Sequence, residues 1–354
     1  MIIIFAFLSS LLLSFVFIEI FKRLFKKVNI LDNPKKYGKK RDPVPYSMGV
    51  IFYIVFLIIS FFFVDHNSKL YLIWTFGLII TIISFFDDLF DVNPKIRLIV
   101  QIIIGATIGI TSIKIGYVSN IFGGTFDLQT HSFFIGGLQI FTIPLIFTII
   151  WYVFIFNSLN WTDGIPGNTS GISAISFFII FLLGLILFYR DNYEGGVDNA
   201  IFIMTMAISI VGILVPFWFY DVKERILMGD SGTMFLGFML ATLAIISGGK
   251  IATVLVVFGI YSVDAIYVLV RRILNKKSPL KKDFTHLHHR LLDKGLTNKQ
   301  ILTLIYSLSF FFGVTALFLD RKGKIVVFCI IIFVVIFINS IVDKVKKGRK
   351  LIHK

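Results

Sequence analysis

The sequence has one cysteine, Cys329, which excludes a disulfide within the chain and leaves the redox compartment unread. The opening residues lack the basic start and small-residue cleavage site of a signal peptide, and they include Glu19, so the first apolar run reads as a retained span. There is no internal repeat or low-complexity linker, which favours one membrane domain over residues 1–354. Charged residues make up only 16%, against 57% hydrophobic and 16% aromatic. With a mean hydropathy of +0.89, that balance excludes an ordinary soluble globule. The net charge of +15 does not indicate nucleic acid, because Lys and Arg lie in short gaps between apolar runs.

Those runs occupy 2–21, 49–64, 70–86, 98–113, 138–156, 171–189, 200–219, 232–247, 251–270, 301–319 and 325–341. They predict an all-α polytopic membrane protein with about eleven transmembrane helices. When alternate gaps are assigned to one side, 28 of the 35 Lys and Arg residues fall there. Short cytoplasmic loops collect such residues, so the N-terminus is expected outside and the C-terminus in the cytoplasm. The acids after 86, the 157–171 loop, the 228–231 segment and the histidines near 286 then share the cytoplasmic face. The outer loop 114–137, with Gly123-Gly124, reads as a small hairpin, and His131 within it as merely polar.

Four pieces on that face carry chemistry. Asp87 and Asp88 end a span-length run, where carboxylates need water, a cation or a partner. Their loop continues to Pro94, which stops one helix, and to Lys95 and Arg97, cations suited to phosphate. Asn157, Asn160 and Asp163 recur at intervals of three, which on a helix end gives one oxygen-rich face. Asp230 lies in Gly229-Asp230-Ser231-Gly232, where backbone can approach a ligand closely. Carboxylate and amide oxygens without a nearby cysteine suggest Mg2+, with Mn2+ as the alternative, and hence a phosphate substrate sharing the ion. His286, His288 and His289 follow Lys276, Lys277, Lys281 and Lys282 and form a donor cluster for a polyanion; their spacing is not that of a zinc site.

In this order the motifs resemble the polyprenyl-phosphate N-acetylhexosamine-1-phosphate transferases, glycosyltransferase family 4. The likeness spans about 32–300: Asp32-x-Pro34, Asp87-Asp88, Asn157-x-x-Asn160-x-x-Asp163-Gly164, Gly229-Asp230-Ser231-Gly232, Asp264 with Arg271-Arg272, and Asp283-x-x-His286-Leu-His288-His289. Residues 301–354 hold the last two spans and a basic tail. The resemblance implies transfer of a sugar-1-phosphate from a UDP-amino sugar to undecaprenyl phosphate with release of UMP, at the inner face of the plasma membrane. It implies catalytic roles for Asp87, Asp88, Asp163 and Asp230, with Asn160 and Asp230 as metal ligands. It further implies substrate-binding roles for Asp32, Lys95, Arg97, Asn157, His286, His288 and His289. The His-Leu-His-His order is closer to the N-acetylglucosamine-1-phosphate transferases of O-antigen and teichoic acid synthesis than to phospho-N-acetylmuramoyl-pentapeptide translocase. Pro166 stands where the family commonly has a second aspartate, and Arg97 where it commonly has lysine. Asp264 is open to two readings, a ligand or a buried partner of Arg271. The expected partners are the two substrates and membrane lipid, without nucleic acid, in a homodimer. The rival readings are a pentapeptide-sugar transferase, a non-catalytic relative and a transporter, whose site would lie nearer the membrane midplane.

Overall fold

Each of the eleven apolar runs is helical over most of its length in the computed structural model, which describes residues 1–37, 40–120, 123–190, 196–248, 251–276 and 286–352. In chain order the helices begin with α1 (Ile2–Lys27), α2 (Val50–Phe63), α3 (Ser68–Phe90) and α4 (Pro94–Gly109). After four short strands come α5 (Thr142–Asn160), α6 (Asn168–Phe188), α7 (Gly196–Asp221) and α8 (Gly229–Ile246). The chain ends with α9 (Ile251–Val257), α10 (Gly259–Leu274), α11 (Leu287–Leu292), α12 (Asn298–Phe318) and α13 (Arg321–Ile352). Among the described residues, eight helices are long and apolar enough to cross a bilayer, or nine if the bent pair α9 and α10 forms one span. The protein is a multi-pass membrane protein.

Helices α7 and α8 form the centre, and their apolar windows are 89% and 94% buried. They are surrounded by α1, α2, α3, α5 and α6, whose outer faces keep exposed Leu, Ile and Phe residues such as Leu12, Phe62, Ile82 and Ile150. Apolar burial gives little drive for association in lipid, so polar ties between helices matter. Tyr152 and Thr242 share a 2.6 Å hydrogen bond between α5 and α8, and the Trp151 indole donates to Ala241 O at 3.1 Å.

Two expectations change. Run 138–156 begins as a strand: β4 (Leu138–Phe141) pairs with β3 (Ser132–Ile135) across Gly136 and Gly137, both at positive φ, as a tight hairpin turn requires. With β1 (Tyr117–Ser119) on β2 (Thr125–Asp127), the connection between α4 and α5 therefore holds two hairpins instead of one. Run 251–270 is broken at Phe258, where α9 and α10 meet at 84°. The break lies beside Gly259, where a Cβ would press on Ile331 of α13. Asp264, six residues past the break, is completely buried.

Candidate active site

The helix ends that carry the acids meet on one face of the bundle. Segment 44–49 runs beside 227–228, with Leu227 N donating to Pro45 O (2.9 Å), Met48 N to Leu227 O (3.0 Å) and Gly49 N to Met228 O (2.9 Å). This zipper brings Ser47 and the start of α8 to the end of α3. Asp88 then accepts three hydrogen bonds: from Ser47 Oγ (2.5 Å), Asp230 N (2.7 Å) and Ser231 N (3.1 Å). A carboxylate from one helix thus caps the N-terminus of another, where unpaired N–H groups favour negative charge. Gly229 makes this approach possible, because at φ +74° its missing Cβ would overlap the Asp88 carboxylate.

Asp230 stands in the first turn of α8. Its Oδ1 accepts from Asn160 Nδ2 (2.8 Å) and its Oδ2 from Arg97 Nη1 (2.6 Å). The same Arg97 nitrogen donates to Asp87 Oδ2 at 2.8 Å, so one guanidinium atom bridges α3 and α8. Asp87 Oδ1 accepts from Val92 N (2.7 Å) and closes the α3–α4 turn, while Asn93 Oδ1 accepts from Lys95 N (3.0 Å) at the start of α4. The Asp230 side chain stays 24% exposed against 4% for Asp87, so Asp230 is the more accessible of the bridged pair. Lys95 is exposed on the first turn of α4.

Asn157 and Asn160 do not act together. Asn157 Nδ2 donates to Gln101 Oε1 (2.7 Å) on α4, whereas Asn160 reaches Asp230 and Thr233 Oγ1 (3.0 Å) on α8. Asp163 lies in the turn beyond α5, where Thr169 Oγ1 donates to its Oδ1 at 3.2 Å. Packed helix ends, and after them the charges of Asp221 and Asp230, push its carboxyl up to about 8. Because the residue remains exposed to water, the neighbouring carboxylates are the firmer of these causes. Asp32 pairs bidentately with Arg41 (3.1 and 2.8 Å) and accepts from Val44 N (2.8 Å), and Arg41 Nε also reaches Glu224 (2.7 Å). That network anchors the 40–46 segment, so Asp32 is engaged with protein partners at the edge of the zipper.

The histidines join the same face. His286 precedes α11, donates from Nδ1 to Asp264 Oδ2 (3.0 Å) and stacks on Trp161 with ring centroids 5.4 Å apart. Leu287 N donates to the same oxygen at 3.1 Å. Asp264 is therefore the partner of His286, a pairing that neither sequence reading, a ligand or a buried partner of Arg271, contained. His288 is fully buried and His289 half-buried, and both rings press on Gly164, which has no room for a Cβ. Burial, followed by the adjacent His289 and His286, holds His288 well below the ordinary histidine range and keeps it neutral. Lys277, Lys281, Lys282 and Asp283 lie outside the described residues.

The sequence reading missed Ser47, Thr233 and Asp221. Asp221 is buried at the end of α7, accepts from Ser170 Oγ (2.6 Å), and ends an apolar run just as Asp87 does. That signal was available. Among the described residues no three His, Cys, Asp or Glu side chains form a metal cage. Asp230 and Asn160 form a partial, all-oxygen donor set: each Asp230 oxygen accepts one hydrogen bond and keeps a second lone pair, which fits a hard cation that completes its shell with substrate phosphate.

Residues 70–248, from α3 to the end of α8, match glycosyl transferase family 4. The segment includes Asp87, Asp88, Asn160, Asp163 and Asp230. The chain is 27% identical over 349 residues to the probable undecaprenyl-phosphate N-acetylglucosaminyl 1-phosphate transferase of Bacillus subtilis (strain 168), covering 96% of this chain and 91% of that protein. It is 26% identical over 312 residues to the undecaprenyl-phosphate alpha-N-acetylglucosaminyl 1-phosphate transferase of Escherichia coli (strain K12), covering 84% and 78%. The protein of that name from Salmonella typhi is 27% identical over 309 residues, again covering 84% and 78%.

Proposed function

Because this chain belongs to glycosyl transferase family 4, we propose that it transfers N-acetylglucosamine-1-phosphate from UDP-N-acetylglucosamine to undecaprenyl phosphate. A phosphate oxygen of the lipid attacks the sugar-bearing phosphorus of the donor, that phosphorus releases the oxygen bridging it to UMP, and UMP leaves. The observation that carries this reading is the clamp on Asp230, whose backbone is held by Asp88 and whose carboxylate is held by Asn160 and Arg97. Phosphoryl transfer asks a protein mainly to position reactants and balance charge, and this clamp does both.

Both Asp88 oxygens are engaged with α8 and Ser47, so Asp88 acts by orienting Asp230. Asp87 orients Arg97 in the same way, and Arg97 and Lys95 supply positive charge for phosphate. The lipid phosphate is largely dianionic at neutral pH, since its second pKa lies near 6, so no strong base is needed for the attack. Asp230 and Asn160 would hold Mg2+, which when bound neutralises charge on the donor diphosphate. His289, beside buried His288, and His286 supply donors next to Asp163 for the sugar nucleotide. We place this face in the cytoplasm, with the N-terminus outside and eleven spans in the plasma membrane. The bias of 28 of 35 basic residues to one side supports that orientation.

The test is UMP release by purified protein given UDP-N-acetylglucosamine and undecaprenyl phosphate, with and without Mg2+. Release that requires lipid and metal is expected. No release by folded protein with any UDP-amino sugar would overturn the reading.

A further inference from the structure

A groove of about 390 Å³ runs along the outside of the α1–α7 seam, with walls of Leu11 and Phe15 from α1 and Pro216 and Phe219 from α7. Its rim is cationic, formed by Lys223 and Arg225 just beyond α7. The seam is tied by Ser14 Oγ donating to Ile213 O (2.8 Å) and by Tyr220 OH donating to Glu19 (2.6 Å), so the groove lies on a fixed scaffold. Phe15 and Phe219 are 49% and 56% exposed, and they face outward from the bundle.

The charges at the rim differ from the paired cations Lys22, Arg41 and Arg97. Lys22 is paired with Glu19, Arg41 with Asp32 and Glu224, and Arg97 with Asp87 and Asp230. Lys223 and Arg225 make no ion pair among the described residues, and both are exposed. Two uncompensated cations above an apolar trough complement an anion that carries an apolar tail. The trough's length selects among such molecules. The lining residues of α7 from Val215 to Tyr220 rise about 8 Å, well within the roughly 15 Å depth of one leaflet's hydrocarbon. An acyl chain confined to that leaflet can lie along the trough, whereas a polyprenyl chain is much longer than one leaflet is deep.

We propose that this groove binds an anionic glycerophospholipid, with its phosphate at Lys223 and Arg225 and an acyl chain along Leu11, Phe15, Pro216 and Phe219. The site is separate from the Asp230 clamp and does not depend on the reaction assigned there.

Native mass spectrometry of delipidated full-length protein tests the proposal, using phosphatidylglycerol and phosphatidylcholine with identical chains and, separately, undecaprenyl phosphate. Phosphatidylglycerol should be retained over phosphatidylcholine by about thirtyfold, as two membrane-surface cations provide. Lys223→Glu with Arg225→Glu should abolish that preference. Leu11→Trp, which fills the trough and leaves the charges, should lower retention of both phospholipids. Equal retention of the two phospholipids, a preference that survives the charge reversal, or retention unchanged by Leu11→Trp would overturn the proposal. So would undecaprenyl phosphate held through Lys223 and Arg225 in preference to phosphatidylglycerol. No turnover is measured, so the outcome is independent of the catalytic assignment.

Discussion

Replacing Gly229 with alanine separates the positioning of Asp230 from ordinary backbone strain. At φ +74° an alanine bears the left-handed penalty of about 1–2 kcal/mol. Its Cβ would also fall 2.9 Å from Asp88 Cγ and 2.9 Å from Ser47 Cα, closer than real Cβ contacts allow. The Asp88 carboxylate must retreat by roughly 1 Å, and a displacement of that size at a catalytic group costs on the order of a hundredfold in rate. Losing even one of its charge-assisted hydrogen bonds adds about 1.5–3 kcal/mol. Gly124→Ala is the matched control: its φ is +70°, and nothing lies within 4 Å of the position a Cβ would take. Gly229→Ala should therefore be the less stable of the two by about 1.5–3 kcal/mol and should lose nearly all turnover, while Gly124→Ala keeps it. Thermal unfolding in detergent and UMP release measure both effects. Equal destabilisation by the two variants, with turnover retained in both, would refute the capping argument.

Arg97→Lys should stay within about tenfold of wild-type turnover, because both ion pairs run through a single nitrogen that an ammonium can replace. Arg97→Met leaves Asp87 nearly buried without its cation and should cost about 3–5 kcal/mol in denaturant unfolding. Asp264→Asn removes the charge-assisted hold on His286 and should lower turnover about tenfold to a hundredfold. Measured turnover equal to wild type would remove Asp264 from the site's support. For His288 the folded-state pKa is depressed, so below the ordinary 6.5 the unfolded chain takes a proton that the folded protein refuses. Stability should accordingly fall as pH drops through 6.5, by up to about 1.4 kcal/mol per unit. Melting curves between pH 5 and 7 should show the fall in the wild type and a shallower one in His288→Phe.

What the sequence made legible was local. Apolar length located the helices, the end of an apolar run located Asp87, an interval of three located Asp163 and flanking glycines located Asp230, because those signals are carried by neighbouring residues. The pairings that give these acids their roles are between distant segments. Ser47 reaches Asp88 only because 44–49 zips against 227–228, and nothing in the periodicity of either segment marks that contact. Asp264 was equally open to a ligand role or to pairing with Arg271, about two helical turns away; a break at Phe258 and the return of the chain at 286 gave it His286. Asn157 and Asn160 share a spacing but diverge, one to α4 and one to α8, since helix neighbours decide what a face touches. Run 138–156 hid a strand because four apolar or amide residues fit either geometry until a hairpin partner was present.

The capping of α8 by Asp88 also has a consequence in time. The two partners are 142 residues apart, and at about 5–20 residues per second a ribosome needs roughly 7 to 30 s to make the second after the first. For nearly all of that interval Ser47, Val92 and Arg97 are already made, but the Asp88 oxygens lack the two α8 N–H groups that later hold them. Water at the bilayer surface must solvate them meanwhile, which a mid-membrane position would not permit. The nascent chain thus favours the same location that the proposed chemistry between a membrane lipid and a soluble nucleotide sugar requires.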